Sequence, residues 1–237
     1  MAKMVGINMV IKQGWMKKAV SLLSEGLSEA EYRKELEDYL SFEIDSPTNK
    51  RKAREILMRI WYLNTEGVEA LQQEGRLLIQ KYPQHLPEIA WCMLPLAYPI
   101  FFDYADLIGK MLSFETEVST GQIKQKMFDE IGERHVIDTA TSKIISTMRE
   151  LGAISSQKVG KHSLIHTDVT NTEIISFMVR TAMYLDGSSY YSLSALEEFK
   201  ALFPYKYHIS KEHLVQDDRF VLSTFDGELT VSLNSGT

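Results

Sequence analysis

The feature that most constrains this chain is an apolar run of 13 residues, at positions 90–102, which Pro95 and Pro99 interrupt. A membrane-spanning helix needs about 20 apolar residues, so this run is too short to cross a bilayer. An apolar segment without a polar face is instead typical of a helix buried at the centre of a globular fold. The sequence therefore predicts a central buried helix over residues 87–102, kinked by its prolines.

The segments before this run have the spacing of amphipathic helices. Apolar residues recur every three or four positions in residues 15–23, 29–42, 49–65 and 67–81. Ser28 and Glu31 form a capping box that opens the second of these segments. Together with the central helix, they predict a helical bundle domain over residues 1–102.

Residues 103–170 follow a different pattern. The predicted elements are helices at 104–112, 119–131 and 138–152, then strands at 153–159 and 162–167. Ser119 and Gln122 form a second capping box, and Asp138 or Thr139 is the expected cap of the third helix. The two strands flank Gly160. Three helices followed by a hairpin predict a winged helix-turn-helix domain, whose third helix would read DNA in the major groove.

Residues 171–237 predict a small α+β module. Helices are expected at 173–185, 194–203 and 210–216, and strands at 219–225 and 228–233 flank the turn Asp226-Gly227. Two interpretations remain open for this module: a second, looser winged-helix-like unit, or a helical cap with one hairpin. The whole chain is thus predicted to be mainly α, with a helical bundle, a winged helix-turn-helix and an α+β module in that order.

The charge is unevenly distributed. The 237 residues carry a net charge of −6, which argues against general binding of polyanions. Residues 1–60 hold 11 basic and 9 acidic side chains, whereas residues 167–237 hold 5 basic and 10 acidic ones. Any nucleic-acid surface must therefore be local, and the acidic C-terminal module is expected to face away from it.

The predicted third helix has two distinct faces. Its apolar face carries Thr141, Ile144, Ile145, Met148 and Leu151, which are expected to pack on the two preceding helices. The opposite face and the tip of the predicted wing carry hydroxyl and cationic groups, the donors that reach base edges and phosphates. The candidate DNA-binding residues on them are Thr139, Ser142, Lys143, Ser146, Arg149, Lys158, Lys161 and His162. A solvated helix face without a function remains the alternative.

A second cationic cluster lies at the start of the helix predicted over residues 49–65. Lys50, Arg51 and Arg54 stand in or near its first turn, where positive charge opposes the helix dipole at a cost of a few tenths of a kcal/mol each. A cluster retained despite this cost is a candidate for phosphate contacts. The alternative is a surface patch that only favours solubility.

No motif indicates an enzyme, a cofactor or a metal. The segment around Gly160 lacks the glycine spacing of a phosphate-binding loop. His162 and His166 have the spacing of two metal ligands on one strand, but no third ligand is nearby, so we interpret them as ordinary histidines. Cys92 is the only cysteine and cannot form an internal disulfide.

Two stretches carry a family resemblance. They are Leu96-Ala-Tyr-Pro-Ile-Phe-Phe-Asp and the pattern Thr141-Ser-Lys-Ile…Leu151-Gly-Ala-Ile, which closes the predicted helix-turn-helix. With the helical first half, they make residues 15–230 resemble the BrxA family of bacterial BREX phage-defence systems. The resemblance implies a small non-enzymatic protein that binds double-stranded DNA. By position, it implies a DNA surface at Ser142, Lys143, Ser146 and the wing lysines.

Taken together, these patterns predict a non-enzymatic accessory protein of a BREX-like system that binds double-stranded DNA and other defence proteins. With no recognisable signal peptide in residues 1–16, we expect a cytoplasmic protein without membrane contact or cofactor. Two alternatives remain open. One is a protein–protein adaptor that uses the winged helix for docking, and the other is an RNA-binding protein that uses the N-terminal helices.

Overall fold

The computed structural model of the protein describes residues 7–132, 135–225 and 227–234, with the backbone alone described at positions 135, 136 and 225. Within these residues the chain forms eleven α-helices and eight short β-strands. The predicted mainly helical fold is therefore confirmed. Among the described helices, none combines the length and the apolar character that a membrane crossing requires.

Five helices make up the first part of the chain. They are α1 (Gln13–Leu23), α2 (Glu29–Leu40), α3 (Pro47–Trp61), α4 (Glu69–Lys81) and α5 (Leu86–Ala97). The predicted capping box is confirmed at α2, where the backbone N–H of Glu31 donates to Ser28 Oγ and that of Ser28 donates to Glu31 Oε2. Ser46 caps α3 in a similar way, and Pro47 occupies a first-turn position that needs no N–H donor.

The prediction of one kinked helix over residues 87–102 is wrong. The chain forms two helices there, because α5 ends at Ala97 and α6 (Ile100–Leu112) begins after Tyr98 and Pro99. Tyr98 is extended, at φ −137° and ψ 82°, as expected for a residue that precedes proline. Pro95 does lie inside α5, but the helix continues for only two residues beyond it. The burial of α5 on all sides agrees with the sequence pattern.

Three strands and two helices follow α6. They are β1 (Val118–Ser119), α7 (Thr120–Ile131), α8 (His135–Glu150), β2 (Ile154–Lys158) and β3 (Lys161–Leu164). The strands form an antiparallel sheet in the order β1-β3-β2, with Val118 opposite His162 and Ile154 opposite Leu164. The expected cap of α8 at Asp138 or Thr139 is wrong, because the helix already begins at His135.

The remaining elements repeat this order. They are β4 (Thr167–Asp168), α9 (Thr172–Asp186), β5 (Tyr191–Ser192), α10 (Leu193–Glu197), β6 (Tyr205–Lys206), α11 (Lys211–Gln216), β7 (Phe220–Phe225) and β8 (Glu228–Leu233). Apart from β4 and β6, which form a separate parallel pair, the series α6-β1-α7-α8-β2-β3 recurs as α9-β5-α10-α11-β7-β8, and the second three-stranded sheet has the matching order β5-β8-β7. The hairpin β7–β8 therefore has a third strand beside it, which a cap with one hairpin would lack. Asp226, predicted in its turn, lies outside the described residues.

The buried apolar residues form one continuous cluster that includes all three predicted segments. The α5 helix lies between α4 and α9, and the Trp91 ring packs edge-to-face against Phe101, Phe203 and Tyr205. Trp91 Nε1 also donates to the carbonyl of Ala201 at 2.9 Å. The predicted divisions at residues 102 and 170 thus separate segments that share a core.

Candidate nucleic-acid interface

A groove of about 390 Å³ lies between α8 and the β2–β3 hairpin, and we call it the helix–hairpin groove. Ser142, Ser146 and Arg149 line it on the α8 side, and Gln157 and Lys158 line it on the hairpin side. The groove therefore brings hydroxyl, amide and cationic donors together on one surface. These are the groups that bind phosphate oxygens and base edges.

The two predicted faces of α8 agree with the structure. Thr141, Ile144, Ile145, Met148 and Leu151 are all buried, and the Thr141 hydroxyl lies 2.6 Å from the hydroxyl of Tyr104 on α6. Because this inner face is fixed by the core, the orientation of the outer face is fixed as well. On that outer face Thr139, Ser142 and Arg149 are exposed, whereas Lys143 and Ser146 are half-buried.

The tip of the β2–β3 hairpin is cationic and is held against α7. Lys158 and Lys161 are exposed and lie opposite each other in the strand register. The backbone N–H of Thr120 donates to the carbonyl of Gly160 at 2.9 Å, and Lys161 Nζ lies 2.7 Å from Glu117 Oε2. Gly160 has φ +71°, which favours glycine at this turn. Lys158 thus points to solvent, whereas Lys161 forms an ion pair with Glu117.

The sequence predicts His162 as an exposed group at the hairpin tip, but the structure places it in the interior. Its side chain is 5% exposed, because the alternation of β3 directs it inwards between α7 and β2. Nε2 lies 2.8 Å from Thr120 Oγ1, and Nδ1 lies 2.7 Å from Ser156 Oγ. Burial, followed by the nearby positive charge of Arg149, lowers the pKa of His162 below its usual value. His162 therefore holds the hairpin in place, and hydrogen bonds to Thr120 and Ser156 already occupy both of its ring nitrogens.

The cationic cluster on α3 is divided by its contacts. Arg51 is exposed and Lys50 is half-buried. Arg54, in contrast, is an internal partner: its guanidinium pairs with Glu37 of α2 and with Glu55, and its side chain is 18% exposed. Because two carboxylates already occupy its donors, Arg54 is less available for the predicted phosphate contact than Arg51 or Lys50.

The described histidines do not form a metal site. His166 is exposed and lies beyond the end of β3, so it does not share a strand face with His162. His208 Nδ1 pairs with Glu197 Oε1 at 2.5 Å, and His213 Nε2 lies 2.7 Å from Ser176 Oγ. In the part of the chain that the structure describes, no three histidine, cysteine, aspartate or glutamate side chains are placed to hold a metal ion.

Sequence reasoning missed three residues with polar side chains that also line the groove: Thr120, Ser156 and Gln157. The strand pattern placed Ser156 and Gln157 in the hairpin, but only the position of α8 shows that they face it. Thr120 follows the capping residue Ser119, and this start of a helix is the signal that its backbone N–H has no partner within the helix; the carbonyl of Gly160 accepts it.

Comparison with protein-family models, with curated proteins and with solved structures finds no match for this chain. Any inference about function therefore depends on the residues and on the geometry described above.

Proposed function

We propose that the protein binds double-stranded DNA through the helix–hairpin groove, without catalysis, as an accessory of a bacterial defence system of the BrxA type. The observation that carries the proposal is the groove itself. It joins Arg149 on the outer face of α8 to Lys158 on the hairpin, with Ser142, Ser146 and Gln157 on the same surface.

The order of the elements supports a winged helix-turn-helix. In that fold a short strand precedes the second helix, and the hairpin after the third helix pairs with that strand. Here β1 precedes α7, and β3 lies between β1 and β2. By this correspondence α8 is the helix that enters the major groove, and the β2–β3 hairpin is the wing that contacts the adjacent backbone.

The donors divide between two roles. Arg149 and Lys158 carry the charges that attract phosphates, and Lys161 contributes partially because Glu117 already binds it. The hydroxyls of Ser142 and Ser146 donate to and accept from base edges, which favours modest sequence selectivity. With about three cations at the groove, affinity is expected to fall by a factor of about 40 between 50 and 200 mM salt.

A titration of fluorescence anisotropy tests the proposal. The probe is a duplex of about 30 base pairs with random sequence, measured at about 50 and 200 mM salt. The double variant Arg149→Glu with Lys158→Glu is expected to lose at least about ten-fold in affinity. The matched control is Lys211→Glu, which changes an exposed lysine on α11, the corresponding helix of the repeated unit. Absence of duplex binding by the unmodified protein at low salt would overturn the proposal.

A second candidate function is docking of a protein partner. It is favoured by the charge of the repeated unit, where Glu212, Asp218 and Glu228 are exposed on and around α11 and β8. An adaptor of this kind would co-purify with its partner even when Arg149 and Lys158 are reversed in charge. Loss of that complex in the double variant would instead mean that the partner docks at the helix–hairpin groove itself.

A further inference from the structure

The aromatic ring of Phe42 is exposed to solvent. It lies in the turn that follows α2 and is 89% exposed, whereas most aromatic rings of the chain belong to the core. The turn itself is ordered, because the backbone N–H of Phe42 donates to the carbonyl of Tyr39 at 3.2 Å. The ring is therefore presented to solvent from a fixed backbone. A single exposed apolar residue requires no explanation, so what matters is the chemistry of its neighbours.

Those neighbours are cationic. Lys50 Nζ donates to Ser41 Oγ at 2.8 Å, which brings the first turn of α3 against the residue that precedes Phe42. Arg51, the next residue of α3, is exposed. We call Phe42, Lys50 and Arg51 the Phe42 patch.

The carboxylates around the patch are largely neutralised. Glu43 accepts hydrogen bonds from Lys12 Nζ at 2.7 Å and from Trp15 Nε1 at 3.0 Å. Glu37 pairs with Arg54. The exposed carboxylates of Asp38 and Asp45 remain as groups that oppose an anion here. Positive charge next to an open aromatic face is the combination that binds single-stranded nucleic acid, because phosphates pair with the cations while a base stacks on the ring.

The segment 11–13 links α8 to Glu43, the residue that follows Phe42. The backbone N–H of Ile11 donates to Thr147 Oγ1 at 3.0 Å, and that of Gln13 donates to Glu150 Oε2 at 3.4 Å. Lys12, between these two residues, binds Glu43 next to Phe42. The segment 11–13 thus bridges the C-terminal half of α8 and the turn that carries Phe42.

We propose that the Phe42 patch binds an unpaired nucleotide, by stacking its base on Phe42 and pairing its phosphate with Arg51. Because paired bases inside a duplex do not expose their faces, the ligand is a single strand. We take the source of this strand to be the unpaired continuation of a duplex held in the helix–hairpin groove. This last step rests on the proposed function, and the stacking site itself does not.

The test compares three probes by fluorescence anisotropy. They are a blunt duplex, the same duplex with a single-stranded extension of about eight thymidines, and the free single strand. The extension is placed on one strand or on the other, to test which polarity is preferred. It is made with deoxyribose or with ribose units, to distinguish binding of DNA from binding of RNA. The unmodified protein is expected to bind one of the extended duplexes at least about five-fold more tightly than the blunt one.

Variants assign this gain to the ring. Phe42→Ala and Phe42→Leu should remove the gain and leave binding of the blunt duplex unchanged, whereas Phe42→Trp should keep it. Phe114→Ala is the matched control, because Phe114 is 92% exposed but stands next to Glu115 and close to Glu117. Asp45→Asn is expected to increase the gain by removing a repelling charge.

Two outcomes would overturn the proposal. One is an extended duplex that binds no more tightly than the blunt one while the free strand does not bind. The other is a gain that survives in Phe42→Ala, which is also the result expected if the patch docks a protein. If the blunt duplex fails to bind but the free strand binds in a Phe42-dependent manner, the proposed function fails and the stacking site stands. Thermal unfolding of each variant verifies its fold.

Discussion

His162 Nε2 lies 2.8 Å from Thr120 Oγ1, and this contact joins the β2–β3 hairpin to the first turn of α7. With Ser156 on the other ring nitrogen, His162 connects three elements at the base of the helix–hairpin groove. The position of Lys158 relative to Arg149 therefore depends on a side chain that is itself buried.

Replacement of His162 is expected to affect both stability and binding. His162→Ala removes two hydrogen bonds to half-buried hydroxyls, each contributing about 0.5–1.5 kcal/mol, so the free energy of unfolding should fall by about 1–3 kcal/mol. Urea unfolding measures this loss, and the looser hairpin should also weaken duplex binding in the anisotropy titration. An unchanged affinity in a folded His162→Ala protein would contradict the positioning role.

The same residue predicts a pH dependence. Because the pKa of His162 in the folded protein is lowered from 6.5, the unfolded chain binds a proton more readily than the folded chain does. The contribution of neutral His162 to stability is thus complete above this pH and is lost as the pH falls below it. Unfolding at pH 7.5 and 5.5 should show a smaller pH effect in His162→Gln, which does not titrate. An equal pH effect in both proteins would show that another group is responsible. His166 is the first alternative, because its pKa is also lowered.

Release of Lys161 is expected to strengthen DNA binding. Glu117→Gln removes the carboxylate 2.7 Å from Lys161 Nζ, so one more free cation faces the phosphates. We expect affinity at low salt to rise and the salt slope to steepen by about one unit. The control is Glu115→Gln, which removes an exposed carboxylate from the same loop without freeing a lysine. A steeper slope in both variants would indicate a general effect of net charge.

Substitutions of Arg54 and Arg51 should have different effects, the first on stability and the second on binding. Arg54→Ala breaks pairs with Glu37 and Glu55, and the free energy of unfolding should fall by about 1 kcal/mol. Arg51→Ala, on the exposed side of the same helix, should leave stability unchanged and weaken binding of single-stranded extensions. Thermal unfolding and anisotropy on both variants make the comparison. The reverse assignment of the two effects would show that our division of the α3 cluster is wrong.

Asp217 is expected to contribute to stability in an acid-sensitive manner. Burial alone would raise its pKa, but hydrogen bonds from Arg219 and Ser176 outweigh this effect and hold the pKa at about 2. Its contribution is present above the ordinary value of 3.8 and is lost as the pH falls towards 2. Asp217→Asn should therefore be less stable than the unmodified protein at pH 7, with the difference narrowing at pH 3. A constant difference would contradict this explanation.

Local signals allowed much of the fold to be predicted. The capping boxes at Ser28 and Ser119 depend on residues three positions apart, and both are present. The buried face of α8 followed from its helical spacing. The break at Tyr98 was missed, although Pro99 is a local signal, because the apolar run continues through it. A two-residue strand such as β1 has too few positions for any periodicity to be recognised.

The candidate site was harder to predict, because its members depend on distant contacts. Exposure of Arg149 and Lys158 followed from the pattern of their own elements. The burial of His162 depends on Thr120, which is 42 residues away in sequence, and the pairing of Arg54 depends on the packing of α2 against α3. Phe42 was missed because an apolar residue at the end of a helix resembles an ordinary core position.

The contact between Ile11 and Thr147 has a consequence for the order of folding. The two residues are separated by 136 positions, so the early helices cannot complete this contact until α8 has been synthesised. Contacts between such distant residues are slow to form, because a long loop must close first. During translation, the N-terminal helices therefore emerge before α8 is available to pack against them. A nascent chain acquires the complete surface of the helix–hairpin groove only late in its synthesis.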